Sequence, residues 1–252
     1  MGSSAFWAHW AWAAATAVIG VIFASLLLSQ YMKKRKEHQL AWFVGFLFYA
    51  LAAAMEAYSE YTGAWDHTVY RIYIVIAASL VGFLGLGSVY LIARKKIWGH
   101  LFLAFNLLVM ALFFYGVFTT ELIAKELVAG ITVSGKPLGA SGTFPRLYSM
   151  FVTIPGSLLL LGGSLLSIFR FIRKKEYRYR VWANVLIIAG TTVIAGIGGM
   201  VRSGSVDGLY PAEMIGATLL LLGFLKAGSL KKGASAIREK RAAEKEVTAT
   251  TA

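Results

Sequence analysis

Residues 25–42, SLLLSQYMKKRKEHQLAW, and residues 164–182, SLLSIFRFIRKKEYRYRVW, decide the fold predicted for this chain. Each stretch ends one long apolar run, passes through a basic loop and opens the next apolar run. Glu37 aligns with Glu176, an offset of 139 residues, and the Gly-Phe-Leu run at Gly82 aligns with the run at Gly223, an offset of 141 residues. Duplicated helices accumulate such one-residue slips near their loops. The sequence therefore predicts two copies of a three-helix unit.

The composition assigns the chain to the membrane proteins. Hydrophobic residues make up 58% of it and the mean hydropathy is +0.67, which is too apolar for an ordinary soluble domain. Runs of 18 or more apolar residues match a hydrocarbon core about 30 Å thick. Such runs cover residues 6–29, 40–60, 71–93, 98–118, 147–169, 181–201 and 210–228. The first lacks the basic leader and cleavage site of a signal peptide, so we expect it to remain as a helix.

The order of these runs predicts the architecture. We expect an all-α, polytopic membrane protein with seven transmembrane helices in a 3+1+3 internal duplication. The predicted parts are a first three-helix repeat at 1–93, a linker helix and external loop at 94–146, a second repeat at 147–232 and a charged cytoplasmic tail at 233–252.

The basic residues predict the orientation. Of the 25 Lys and Arg residues, 20 fall in the loops and tail that would share one side of the membrane. Because basic flanks stay in the cytoplasm, the N-terminus is expected outside. We interpret the chain as a multi-pass protein of a prokaryotic plasma membrane. There is no cysteine, so disulfides and thiolate chemistry are excluded.

The net charge of +13 raises the question of which partners are acidic. The basic residues flank membrane spans and do not line one groove, which argues against nucleic acid and favours anionic lipid headgroups at the cytoplasmic loops. The same loops offer a surface to a membrane or cytoplasmic protein partner. Aromatic residues near the predicted span ends, Trp65 and Tyr210 among them, are interpreted as an interfacial belt.

One long loop, residues 119–146, is predicted on the outside. Residues 121–131 place apolar and charged side chains on opposite faces, which predicts a short helix lying on the membrane. Residues 131–144 have strand-like ends around a Gly and Pro turn and predict a small hairpin. The loop is either a lid or docking surface, or a segment without a role of its own.

Charged groups at membrane depth supply the candidate site, because such groups are costly and often functional. Glu56 is the first candidate, roughly 24 Å across the membrane from Leu40 at 1.5 Å per residue. The predicted ligand-binding residues are Glu56, Glu60, Arg71, Tyr73, Arg202 and Glu213, with His9 nearby. We expect an arginine or another donor beside Glu56, and the alternative is that each residue snorkels to water or forms a structural ion pair.

Several chemistries have no support in the sequence. There is no catalytic Ser/His/Asp set, phosphate loop or metal-binding spacing, and no paired histidines within the spans for haem. We therefore expect no enzyme activity, no metal and no cofactor. The inner halves of the predicted helices carry no charge, which favours an external pocket over a transport path.

The architecture resembles that of known seven-helix families. A 3+1+3 bundle with an external N-terminus is similar to the microbial rhodopsins and to the PQ-loop and SWEET transporters. The rhodopsin resemblance implies a retinal lysine, for which Lys226 is the candidate, but 75–93 has no acidic counter-ion. The PQ-loop pattern is reduced to Pro155, without a Pro-Gln pair.

A second resemblance covers residues 40–63, LAWFVGFLFYALAAAMEAYSEYTG, which are similar to the seven-helix sensory modules found ahead of bacterial histidine kinases. This resemblance implies sensing, with a signal passed to a separate partner. Two functions remain open: a non-enzymatic sensory or accessory subunit with an outward-facing polar pocket or docking surface, and a small-solute transporter of 3+1+3 type.

Overall fold

The computed structural model describes residues 3–129, 135–140, 142–171, 178–203 and 208–226. Within these ranges the protein is all-helical and has seven long helices. They are α1 (Ser3–Lys34), α2 (Glu37–Thr62), α3 (His67–Ile92), α4 (Ile97–Thr119), α5 (Phe144–Phe171), α6 (Arg178–Ser203) and α7 (Leu209–Lys226). Short 3₁₀ turns at Ala124–Glu126 and Lys136–Leu138 lie between α4 and α5.

Six of the helices are long and apolar enough to cross a membrane, which makes this a membrane-embedded, multi-pass protein. The exception is α6, in which the described apolar stretch is Val181–Ile194. The all-helical membrane class expected from the sequence is confirmed at this level. Seven spans, the orientation and the duplication stay predictions.

A tight turn fixes the relative level of α2 and α3. The first helix of the pair ends at Gly63, which adopts a left-handed conformation with φ of 78° that suits glycine. The side chain of Asp66 then caps α3 by accepting hydrogen bonds from the backbone N–H groups of Thr68 and Val69, at 2.8 and 3.1 Å. Residues near the end of α2 therefore lie beside residues near the start of α3.

Contacts between helices define the two ends of the bundle. Backbone atoms of α3 and α5 approach so closely that a Cβ added to Gly85 would lie 2.6 Å from the Cα of Gly156. Those two helices are parallel, and α2 and α4 run against them. We call the end where α1, α3, α5 and α7 begin the N-terminal face, and the other end the opposite face.

An apolar layer fills the middle of the bundle. It joins Phe23 of α1, Phe46 of α2, Leu80 of α3 and Leu220 of α7, and the rings of Phe23 and Phe46 have centroids 3.7 Å apart. Phe23, Phe46 and Leu220 of this layer also line the cavity described below.

The loop between α4 and α5 differs from its predicted form. The amphipathic helix expected over 121–131 is wrong for the described residues, which form only the turn Ala124–Glu126 and a bridge from Ala64 to Val128. The reason is tertiary: Leu127 is buried in the apolar group that contains Trp65 of the α2–α3 turn, whereas a membrane-surface helix would have directed it into lipid. The first strand of the expected hairpin, 131–134, lies outside the described residues.

Candidate functional site

The candidate site is built around Glu56, whose carboxyl group is buried between α2 and α3. Glu56 lies about 9 Å along the helix axis from the end of α2. Tyr73 lies at the same distance from the start of α3, so the two residues meet at one level. The Tyr73 hydroxyl donates a hydrogen bond to Oε1 of Glu56 at 2.7 Å. Glu56 is 3% exposed, and its Oε2 atom accepts no hydrogen bond from the described residues.

A second carboxyl group comes from α7. Glu213 lies beside Glu56, and the two carboxyl groups interact electrostatically. The position of α7 is fixed nearby, because the Tyr49 hydroxyl of α2 donates to the backbone oxygen of Glu213 at 3.0 Å. Two adjacent carboxyl groups inside an apolar bundle cannot both be ionised without a large cost. This arrangement favours one proton held between them.

A third carboxyl group lies one turn further along α2. Oε1 of Glu60 accepts a hydrogen bond from the Tyr210 hydroxyl of α7 at 2.6 Å. Its Oε2 atom is 3.8 Å from Nδ1 of His9 on α1. The rings of His9 and Tyr210 also contact each other, with centroids 5.5 Å apart. Glu60 therefore joins α1, α2 and α7.

We call this set the carboxyl cluster. It consists of Glu56, Glu60, Glu213, Tyr49, Tyr73, Tyr210 and His9. The described groups that act on the carboxyl of Glu56 are Tyr73, Glu213 and Glu60, none of which is cationic. Across the described part of the chain, no group of three His or acidic residues has the geometry of a metal site.

Arg71 lies elsewhere, although the sequence placed it in the site. Its guanidinium donates to the backbone oxygens of Val117 and Thr120, the latter at 2.9 Å, and lies over the Phe118 ring. These contacts satisfy the last carbonyl groups of α4. Residues two apart on a helix point in roughly opposite directions, about 200° around the axis. Since Tyr73 faces Glu56, Arg71 faces α4.

The other predicted site residues can be placed in turn. Glu56, Glu60, Tyr73 and Glu213 come together in the carboxyl cluster, as does His9. Arg202 belongs to α6, but its side chain lies outside the described part of the structure. The expected donor beside Glu56 is therefore the hydroxyl of Tyr73, where the sequence had favoured an arginine.

The loop and the α2–α3 turn cover the cluster at the N-terminal face. The Trp65 ring lies over Tyr73, with centroids 4.6 Å apart, and Leu127 and Leu138 pack in the same apolar group. The backbone N–H of Trp65 donates to Leu127 at 3.4 Å, and that of Ile123 donates to Pro137 at 2.9 Å. Residues 121–129 and 135–140 therefore cover the aromatic side of the cluster.

Three side chains at this site were not predicted from the sequence. Trp65 and Tyr210 were assigned to an interfacial belt, yet both are buried, and Tyr49 was given no role. A signal existed for two of them: Tyr49 lies seven residues before Glu56, and Tyr210 three residues before Glu213, so each shares a helix face with a carboxyl group. Hydropathy gives the depth of an aromatic ring but not its direction.

A separate cavity of about 330 Å³ lies toward the opposite face. Side chains from α1, α2, α3, α5, α6 and α7 line it, and none of its lining residues belongs to α4. The walls are apolar apart from a few serines and Asn184. Lys226, the candidate retinal lysine, is not a lining residue; it is exposed and lies over the Trp182 ring.

The helices and the buried polar groups define a multi-pass integral membrane protein with a carboxyl cluster between its helices. The chain matches no protein-family model, no curated protein and no solved structure. Any function must therefore be argued from the residues themselves.

Proposed function

We propose that this is a non-enzymatic integral membrane protein of the sensory or accessory kind, in which the carboxyl cluster is an outward-facing site that responds to protons. One observation carries the proposal: Glu56 and Glu60 are buried, Glu213 lies beside Glu56 from α7, and none of the described groups that act on the Glu56 carboxyl is cationic. A buried carboxylate is stable only with a compensating partner. A proton is the smallest partner that could compensate it.

The surroundings of the cluster favour a proton over a metal ion. The groups around the carboxyls are mainly tyrosine hydroxyls, and the described residues lack metal-site geometry. At the edge of the cluster lies His9, whose side chain is 12% exposed, compared with 4% for Glu60. An imidazole can accept or donate a proton through its ring nitrogens and can pass it to a neighbouring carboxylate.

The helices offer a way to transmit the change. Glu56 and Glu60 belong to α2, whereas Glu213 and Tyr210 belong to α7. Loss of the shared proton would make Glu56 and Glu213 repel each other and push α7 away from α2. Because a helix is stiff, a displacement at the N-terminal face would be felt at Lys226, at the other end of α7.

The proposed topology gives this displacement a direction. We propose seven spans in two repeats, 1–93 and 147–232, joined by 94–146, with the N-terminal face outside a prokaryotic plasma membrane. The basic loops at the opposite face, including Lys33 and Lys96, support this orientation. These loops would contact anionic lipid headgroups, and with the tail at 233–252 they would present a surface to a protein partner.

Thermal unfolding as a function of pH tests the proposal. The purified protein, reconstituted in nanodiscs, is compared with Glu56→Gln and Glu213→Gln. If the folded state holds a proton that the unfolded state releases, the stability of the wild type falls as pH rises from mildly acidic to mildly basic. Either substitution removes the repulsion between the two carboxyl groups but leaves one carboxyl inside the bundle, so the fall in stability with rising pH becomes smaller than in the wild type.

The matched control is Glu121→Gln, which neutralises an exposed glutamate of the loop and should keep the wild-type profile. Intrinsic tryptophan fluorescence over the same pH range reports a structural response without unfolding. Parallel profiles for the wild type and both cluster variants would reject the proton site.

A small-solute transporter is the second candidate, and the position of the cavity favours it. The cavity is bordered by helices of both proposed repeats and by no residue of α4, as expected for a path between two repeats. Uptake of solutes into proteoliposomes separates the candidates. Accumulation above protein-free liposomes supports transport, whereas co-purification with a fixed partner and no uptake supports the sensory or accessory role.

A further inference from the structure

The cavity near the opposite face has the properties of a small-molecule site. Its volume of about 330 Å³ lies within the range of ligand pockets, which are mainly apolar with a few placed polar groups. Phe23, Phe46 and Leu160 supply part of the apolar wall. None of the lining residues that the structure describes is charged. A charged ligand would therefore lose its hydration without compensation.

The polar groups lie on α3, α5 and α6. The Asn184 side chain of α6 donates to Oγ of Ser167 on α5 at 2.9 Å, and Ser164 and Ser88 contribute further hydroxyl groups. An amide within the apolar stretch Val181–Ile194 is costly unless its hydrogen bonds are used. Serine hydroxyls can rotate and serve either as donor or as acceptor. This group could meet one polar end of a ligand.

One hydrogen bond fixes the ring of Trp42, which contributes to the cavity wall. The Trp42 indole N–H donates to the backbone oxygen of Leu84 at 3.1 Å, so its single donor is already used. The ring thereby presents carbon atoms to the cavity. Polarity remains with Asn184 and the serines.

We propose that this cavity binds an uncharged, largely apolar small molecule whose one hydrogen-bonding group lies against Asn184 and Ser167. A medium-chain alcohol is the simplest molecule with this chemistry. The proposal does not depend on proton binding by the carboxyl cluster, because none of the described residues that line the cavity belongs to that cluster.

Photolabelling tests the proposal directly. The intact protein in nanodiscs is labelled with a diazirine derivative of octanol, and mass spectrometry locates the label. We expect labelling of α5 and α6 peptides that line the cavity. Unlabelled octanol should compete, octane should compete several-fold less well because it lacks the hydroxyl, and octanoate should not compete because it is charged.

Two variants and a control locate the site. Ser164→Phe fills the cavity and should lower labelling by about tenfold or more. Asn184→Leu keeps the side-chain size but removes the amide, and should remove the advantage of octanol over octane. The control is Leu158→Phe: Leu158 of α5 is 67% exposed, so this change should leave labelling unchanged. Gel filtration and thermal unfolding confirm that each variant is folded.

Labelling of lipid-facing residues alone, unchanged in Ser164→Phe, would overturn the proposal. Equal competition by octane and octanol in the wild type would overturn the hydrogen-bonding part. If Ser164→Phe does not fold, Asn184→Leu and the three competitors still decide the outcome. These results do not involve Glu56 or Glu213, so they are distinguishable from failure of the proton site.

Discussion

The two ends of this bundle are packed in different ways. Near the N-terminal face, three carboxyl groups and several tyrosines are packed together, and the hydroxyls of Tyr49, Tyr73 and Tyr210 each donate to an oxygen atom. Near the opposite face, the helices leave a cavity with apolar walls and few polar atoms. Hydrogen bonds thus specify the first region, whereas the shape of apolar side chains specifies the second.

The largest effect is expected where the two halves meet. In Gly85→Ala the new Cβ would lie 2.6 Å from backbone atoms of Gly156, which cannot move without separating α3 from α5. We expect a loss of about 3 kcal/mol in unfolding free energy. Denaturant titration in detergent measures it. The control is Gly162→Ala, since no atom lies within 4 Å of the added Cβ. Similar stability of both variants would show that the close approach does not matter.

A smaller effect is expected within the carboxyl cluster. Tyr210→Phe removes the hydroxyl that donates to Glu60 at 2.6 Å and leaves a buried oxygen with one donor fewer. We expect a loss of about 2 kcal/mol in unfolding free energy, measured in the same titration. Tyr58→Phe, on the exposed surface of α2, is the matched control. Equal values for the two variants would mean that the Tyr210 bond contributes nothing.

The boundary of the carboxyl cluster is tested by Arg71→Ala. This change removes two hydrogen bonds to the end of α4 and should cost about 1.5 kcal/mol. Thermal unfolding should shift by the same amount at every pH, because Arg71 faces away from Glu56. The exposed Lys125→Ala is the control. A flattened pH profile, like that expected for Glu56→Gln, would instead place Arg71 in the cluster.

The smallest expected effect concerns the turn that sets the level of the cluster. Asp66→Ala removes the cap of α3 and should cost about 1 kcal/mol. Asp66→Asn should restore most of it, because asparagine caps as well as aspartate. Thermal unfolding of both variants measures the difference. If Asp66→Asn is as unstable as Asp66→Ala, then charge matters at this turn and capping does not.

The sequence predicted the parts of this protein that depend on one helix at a time. Long apolar runs gave the helices, and the spacing of Glu56 and Glu60 at i and i+4 placed both carboxyls on one face. Tyr73 and Glu213 were expected near them because all lie at a similar depth. These predictions needed only periodicity and counting.

Contacts between helices could not be predicted in the same way. Arg71 and Tyr73 have the same depth but face different neighbours, and depth alone cannot separate them. The helix predicted over 121–131 is absent from the described residues because burial of Leu127 outweighed the local amphipathic pattern. The cavity had no sequence signature, since it reflects how apolar side chains from six helices fail to fill a space.

Helix α7 contributes to both proposed sites, so binding at one site can change the affinity of the other, and any such effect must be reciprocal. It supplies Glu213 to the carboxyl cluster and Leu220 to the cavity wall, about 10 Å further along its axis. A rotation or tilt of α7 driven by proton loss would reshape that wall. If proton binding changes the affinity of the cavity for an alcohol by some factor, then alcohol binding must change the affinity of the cluster for the proton by the same factor. Measuring octanol binding at two pH values would give this coupling free energy from either side.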